Sequence, residues 1–484
     1  MRPSTIEAEV LVIGSGPGGA CSAALLAEAG FDVLLLEEGE DLPLESAEAY
    51  SFEEMKQKYR GGGLTTTLGK TNVTYVEGRC VGGGSEVNSG LYHRPMHQRM
   101  DQWGRDYKID GFSMESLGPY FDQVEKDHHI STWPQGIGPA SQMLRRGAKE
   151  MGWSSQEIPR FFRYEKHQGA WVGKRQSMRV TLIPRFRKAG GRLLSNTRVT
   201  KLRLRNQRAV EAHAVQSRSG DSKTKRIRIR FKHLFLACGA VQTPLLLRKS
   251  GIAKHIGNQL QLHPMVRFAA RFDEDINDLS FGVPVEQVDE FKPAMTLGCS
   301  YSSKPHLALW MGPSVPNRTE KLDDWKKMAV FYVAVIGGGK GSVRPLPLID
   351  EPLVRFPVLN ADLSRLGRGV QRLGRLLMAA GAQEIYSPID GSPLLGIEDL
   401  DEIGRGLPAT GPAISTIHLF SSCPMGEATQ CPADSFGKLK EVENVWVNDA
   451  SLMPASPGVN PQGTLLAIGY RNIENFLNQH DPTG

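Results

Sequence analysis

Two stretches hold residues whose types and spacing could do chemistry. "HLFSSCPMG", residues 418–426, sets one histidine, His418, ahead of small residues, a cysteine, a proline and a methionine. The stretch is too short and mixed to read as helix or strand. An imidazole held in a loop can exchange a proton near neutral pH, or it can merely bridge backbone groups. The second stretch, "EAEVLVIGSGPGGACSAALLAEAGFDVLLLEEGE", covers residues 7–40. Gly14, Gly16 and Gly19 form a GxGxxG turn there, and Glu37 follows 23 positions after Gly14. In such a turn one glycine permits the bend, one lets backbone approach a pyrophosphate, and one lets helix pack on strand. An acid at this distance can accept a hydrogen bond from a ribose hydroxyl. A plain strand–helix–strand unit without ligand is the alternative.

The elements needed to hold a nucleotide are legible around those glycines. "VLVI" reads as a buried strand, "ACSAALLAEAG" as a helix ending at Gly30, and "DVLLLE" as a second buried strand ending at Glu37. The N-terminus of the helix offers free N–H groups and a positive dipole end to phosphates. The position of this unit near the start of the sequence favours FAD over NAD. With 484 residues, 40% hydrophobic and 23% charged, the chain has the composition of a globular protein large enough for more than one domain. Its longest apolar runs fall far short of a membrane span, and "MRPSTIEAEVLVIG" has no apolar leader-like segment. A cytoplasmic location is expected. Six cysteines without a CxxC pair indicate neither a disulfide framework nor a metal site. A net charge of +6 is too mild at this size to indicate nucleic acid.

"EGRCVGGGSEVNSGLYHRP", residues 77–95, carries three consecutive glycines followed by Asn88 and Gly90. Such a stretch can bring many backbone N–H groups to a planar ligand. With the N-terminal fingerprint it resembles the glucose–methanol–choline (GMC) oxidoreductases, which bind FAD. "LACGAVQTPLLLRKSGI" (236–252), "HLFSSCPMG" and "VNDASLMPASPGVNPQGTLLAIGYRNIENF" (447–476) are similar to segments of that family, in the same order. The resemblance runs from residue 9 to 476 and is weakest at about 265–345.

It implies an α/β fold, with an FAD-binding Rossmann-like domain and an inserted α+β substrate domain built on an antiparallel sheet. The implied layout is an FAD domain in segments 1–118, 192–265 and 412–484, a cofactor-covering and substrate segment 119–191, and a substrate domain 266–411. Gly14, Gly16, Gly19 and Glu37 would hold the ADP half of FAD. Arg79, Gly83, Gly84, Asn88 and Gly90 would line the pyrophosphate and flavin, and Val199 would meet the adenine through its backbone. Asp449, Asn460, Pro461 and Thr464 would sit by the ribityl chain and ring. His418 would be the base and Asn460 its partner, in oxidation of an alcohol CH–OH to an aldehyde or ketone. Oxygen or another acceptor would then take the electrons. A lyase that keeps FAD only as structure, and a non-catalytic flavin-fold binding protein, are the alternatives.

Two departures from the family stand out. Relatives that tether FAD do so through a histidine where this chain has Val87, so non-covalent FAD is expected. Many relatives have Gly-Thr where this chain has Ser421-Ser422, and Cys423 after them is closer to members acting on sterols and long-chain alcohols.

Other segments have plainer readings. Residues 119–190 are rich in aromatic, basic and glycine residues. "KRIRIRFKHLFLA" alternates as an exposed strand with a basic face, after a turn at "SGDSK". "GGGKGSVRP" (337–345) reads as a loop entering a strand. "DLSRLGRGVQRLGRLLMAAGAQEI" reads as an amphipathic helix with an Asp/Ser cap, packed on the substrate-domain sheet rather than on a membrane. His128 and His129 fall in a polar stretch, and His93 follows the glycine-rich loop. His263, before Pro264, is either structural or pocket-lining. None of these four is expected to be catalytic.

Overall fold

The computed structural model describes residues 4–48, 51–217, 224–312, 315–391 and 394–481. The turn expected at "SGDSK" lies outside them.

A five-stranded parallel sheet forms the first layer. Its strands run in the order Arg192–Leu194, Val33–Leu36, Val10–Ile13, His233–Leu236 and Val445–Val447. The three central strands are nearly continuous apolar runs because helices or other sheets cover both faces. Helix Pro17–Glu28 follows strand Val10–Ile13 and packs against Leu182–Lys188 and the C-terminal helix Gln462–Leu477. A four-stranded sheet, Ser4–Glu7, Thr224–Arg230, Arg208–Ser217 and Thr197–Arg205, lies alongside. In Thr224–Arg230 the isoleucines Ile227 and Ile229 are buried while Arg226, Arg228 and Arg230 are exposed, so period two alone accounts for the basic face.

The second core is built on a larger sheet. Thr65–Thr66, Thr74–Tyr75, Ile414–Thr416, Met265–Arg271, Met328–Val335, Met295–Ser300, Glu286–Val288 and Ser155–Glu157 follow in that order, and Glu384–Ile385 pairs with Met265–Arg271. All its ladders are antiparallel except Thr74–Tyr75 on Ile414–Thr416, so the sheet is mixed. Helix Asn360–Ala379 covers one face, with Leu363, Leu366, Val370, Leu373 and Leu377 in the core. It begins two residues before the expected cap. Asp362 sits inside the first turn and accepts from the backbone N–H of Leu359 (3.1 Å) and of Gly338 (3.0 Å).

Two expected boundaries cut through elements, and a third leaves a strand of the large sheet beyond it. Helix Met114–Asp127 runs through 118/119, and its Leu117, Phe121 and Val124 belong to the first core. Position 265 opens strand Met265–Arg271, and Ile414–Thr416, beyond 411, belongs to the large sheet. His128, expected in a polar stretch, is fully buried against Phe161. No helix among the described residues is long and apolar enough to cross a membrane.

Candidate active site

A cleft of about 1760 Å³, counted out to its open mouth, runs along the C-terminal ends of the parallel strands. This is where ligands sit in open α/β sheets. Gly14 takes φ +98°, and a Cβ there would lie 2.3 Å from the carbonyl oxygen of Ala237. Gly83 takes φ +52°, and its Cβ would lie 2.7 Å from Gly16 Cα. A side chain at Gly83 would force the two glycine turns apart, and one at Gly14 would collide with the backbone after strand His233–Leu236. No side chain caps helix Pro17–Glu28, whose N-cap is Gly16, so its first N–H groups remain for a ligand. The strand Thr197–Arg205 bulges between Val199 and Lys201 at the cleft rim, which leaves backbone groups there outside the ladder.

Glu37 sits at the end of its strand as expected. Its Oε2 accepts from Ser15 N–H (3.0 Å) and Ser15 Oγ (2.7 Å), and its Oε1 from Gly39 N–H (2.8 Å). Burial raises its pKa against those bonds. A carboxylate has about four acceptor positions, so room remains for a ribose hydroxyl.

Of the fifteen residues proposed from sequence, twelve line this cleft: Gly14, Gly16, Glu37, Gly83, Gly84, Asn88, Gly90, Val199, His418, Asp449, Asn460 and Pro461. Three do not. Gly19 is a packing glycine, whose Cβ would fall 1.8 Å from Gly14 O. Arg79 turns its half-exposed guanidinium to Glu38, with Nε 3.2 Å from Oε1. Glu38 also holds Arg60 at 2.8 Å. A neighbouring carboxylate thus captures Arg79. Thr464 is fully buried in the C-terminal helix, behind the cleft.

Asp449 lines the cleft, but its oxygens are occupied. One accepts from Ser451 N–H (2.7 Å), the other from Gly239 N–H (2.9 Å) and the Thr243 hydroxyl. It ties the last parallel strand to helix Gly239–Lys249. Asn88 donates to Gln462 Oε1 and accepts from Gly90 N–H (2.9 Å), which joins the glycine-rich loop to the C-terminal helix.

His418 lies where this cleft meets a second, smaller cavity of about 480 Å³. Ser89, Leu91, Ile417, His418 and Asn460 line both. The segment read from sequence as neither strand nor helix forms a two-residue ladder. Leu419 pairs with Leu262 and Phe420 with Gln261, and this sets His263 beside His418. The two Nδ1 atoms are 3.1 Å apart. Thr416 Oγ lies 3.0 Å from the carbonyl oxygen of His263 and 3.1 Å from that of His418, and accepts from His418 N–H at 3.1 Å. The hydroxyl pins both backbones.

Burial first, then the nearby His263, Arg267 and His93, hold the His418 pKa well below its ordinary value. Burial alone takes His263 down to about 4. Both imidazoles are therefore neutral near pH 7, and the bond between them needs one Nδ1–H donor and one bare acceptor. When His418 is the donor, its own Nε2 carries a lone pair. The sequence shows no sign of this partnership, because His263 and His418 are 155 positions apart and meet through a two-residue ladder. Behind them, His93 Nε2 donates to Gln287 Oε1 (3.0 Å), and Gln287 Nε2 donates to the Tyr332 hydroxyl (2.6 Å).

Ser421 adopts φ +65°, a left-handed state that costs a serine roughly 1–2 kcal/mol and a glycine almost nothing. Cys423 is fully buried and lines neither cavity. It contributes packing and makes no contact that could select a substrate. Among the described residues no group of His, Cys, Asp or Glu could hold a metal ion.

Comparison with known proteins gives three results. Residues 55–265 and 349–469 match the two models described as GMC oxidoreductase, and residues 12–60 match a NAD(P)-binding Rossmann-like domain. The uncharacterised GMC-type oxidoreductase y4nJ of Sinorhizobium fredii is 38% identical over 98% of this chain and 95% of its own length. The long-chain-alcohol oxidase FAO4A of Arabidopsis thaliana is 24% identical over 96% of this chain and 68% of its own. The structure of pyridoxine 4-oxidase from Mesorbium loti superposes with a TM-score of 0.76 at 17% identity, covering 98% of this chain and all of the other, a likeness of fold.

Proposed function

This chain belongs to the GMC oxidoreductases, whose members bind FAD, and we propose that it holds FAD without a covalent tether and oxidises the CH–OH group of an alcohol to a carbonyl. The observation that carries this reading is the neutral His418–His263 pair, placed at the seam between the nucleotide cleft and a smaller polar cavity. The residues of the cleft fit the cofactor. The crossed glycine turns leave no room for side chains, a helix N-terminus lies uncapped, and Gly84 meets no atom within 4 Å of where a Cβ would stand. Val87, which also lines the cleft, offers no nucleophile for a covalent bond.

FAD, when bound, supplies the acceptor for the hydride that leaves the carbinol carbon. His418 Nε2 has no hydrogen-bond partner among the described residues and can take the hydroxyl proton. Its Nδ1–H then stays on His263 Nδ1, which orients the ring and spreads the positive charge. Asn460 lines both cavities beside it, and its amide can donate to the substrate oxygen as negative charge builds there without competing for the proton. The likeness to an alcohol oxidase of plants supports the same class of reaction.

The test is to purify the protein with its flavin, release the flavin by acid precipitation, and mix the holoprotein with a panel of alcohols without oxygen. Flavin should leave with the supernatant, and at least one alcohol should bleach it. Flavin that stays with the precipitated polypeptide overturns the non-covalent assignment. Turnover of a substrate without bleaching would mean a lyase with structural FAD.

A further inference from the structure

We propose that the substrate is a small hydroxy acid, whose carboxylate is bound by Arg267 while its CH–OH faces His418 and Asn460. This rests on the alcohol-oxidising reading above and names the substrate class for the same site.

Arg267 projects from strand Met265–Arg271 into the smaller cavity, in register with Tyr332. Its guanidinium donates to the Ser415 hydroxyl and, at 3.4 Å, to Met265 Sδ, a weak acceptor. Its carbon centre stands 5.3 Å from the Trp310 ring. No carboxylate among the described residues pairs with it. Four residues further on the same strand, Arg271 is paired with Asp324 at 3.0 Å, and Glu286 on the same sheet is paired with Arg145 at 2.8 Å. Arg271 of the same strand thus has an acid beside it, and Arg267 has none. Two of five N–H donors are used, and the others have no protein acceptor. A desolvated cation without counter-ion is costly. Burial lowers its pKa to about 10, so it remains charged at neutral pH.

The rest of the cavity narrows the ligand. Among the described residues Arg267 is the only Lys or Arg lining it, and no Asp or Glu does. His263 and His418 are held neutral. One positive charge matches one carboxylate, whose planar oxygens suit a guanidinium fork. A phosphate dianion would leave a negative charge uncompensated. Tyr332 accepts from Gln287 and keeps its own proton to donate, and the side chains of Thr296 and Ser300 line the same space. A long alkyl chain would leave these groups and the guanidinium dry and unpaired. The space is narrow and suits only a compact molecule.

The experiment compares hydroxymethylbenzoates and short ω-hydroxy acids with their neutral amides, as reductants of the holoprotein without oxygen. Calorimetric titration with benzoate, which cannot be oxidised, gives a readout separate from turnover. The wild type should reduce its flavin with at least one acid at ~10²-fold higher second-order rate than with the matching amide, the size expected for a buried charge pair. Benzoate should bind, and benzamide should not. Arg267→Met should abolish the preference, the acid losing ~10²-fold more rate than the neutral amide loses. Amides that reduce the flavin as well as the acids in the wild type, a comparison that needs no variant, would overturn the proposal and leave the alcohol-oxidase reading standing. So would an acid preference that survives in Arg267→Met. If neither series bleaches the flavin while another alcohol does, the proposal falls and the alcohol-oxidising reading stands.

Discussion

His418 can act as a base only while it is neutral, and its surroundings keep it so. Because its pKa lies well below the ordinary 6.5 of histidine, the base form persists down through that value. The rate of flavin reduction at saturating alcohol should therefore be flat between roughly pH 6 and pH 9. A tenfold-per-unit rise centred near 6.5 would show instead a histidine that titrates normally. Asn460 carries a different load. If its amide serves the developing alkoxide, Asn460→Ala should raise the barrier by ~2–4 kcal/mol, read as slower reduction with flavin content unchanged. A variant that only weakens substrate binding, with the saturated rate intact, would contradict that role. Both residues were legible in the sequence through their neighbours and family likeness. His263 and Arg267 were not, since a histidine before a proline and an arginine in a strand carry no signal of what lies opposite them.

The glycine turns act as elements, and two of them separate packing from binding. Gly19 sits against Gly14 O, where a Cβ would come within 1.8 Å, so Gly19→Ala should damage the fold itself. It should lower the melting temperature of the flavin-free protein. Gly84 has open space around its Cβ position and lines the cleft. Gly84→Leu should leave the flavin-free protein as stable as wild type and weaken FAD binding by about tenfold or more, ~1.4 kcal/mol. Equal FAD affinity in Gly84→Leu would place the cofactor elsewhere. The strand–turn–helix–strand unit was readable because apolar runs, glycines and an acid fall in register within thirty residues. The ladder between Gln261–Leu262 and Leu419–Phe420 was not, because two residues hold no periodicity. Arg79 and Thr464 were misplaced for a related reason. Sequence places a residue in a loop or helix, whereas Glu38 and the packing of the C-terminal helix decide which way it turns.

Across the whole molecule, buried histidines make stability depend on pH, three of them at the site. His93 is lowered to about 3 and His263 to about 4, both chiefly by burial, and His418 lies well below 6.5. Each binds a proton more readily unfolded than folded, so its neutral form supports the fold above about pH 6.5 and that support is lost as the pH falls toward 4. Removing one such group should flatten the dependence. Between about pH 7 and pH 5, His263→Gln should lose about 2 kcal/mol less unfolding free energy than wild type, measured by denaturant titration. Parallel losses would mean that His263 is not held neutral. The two-core architecture followed from the order of the motifs. The boundaries at 118 and 265 did not, because a helix and a strand run across them, and the large sheet takes strands from four separated stretches. The most direct measurement is anaerobic single-turnover reduction by an alcohol substrate, in wild type and in His418→Ala matched for bound FAD. Wild type should bleach promptly and the variant ~10²–10⁴-fold more slowly. Bleaching of His418→Ala at the wild-type rate would remove the base from the site.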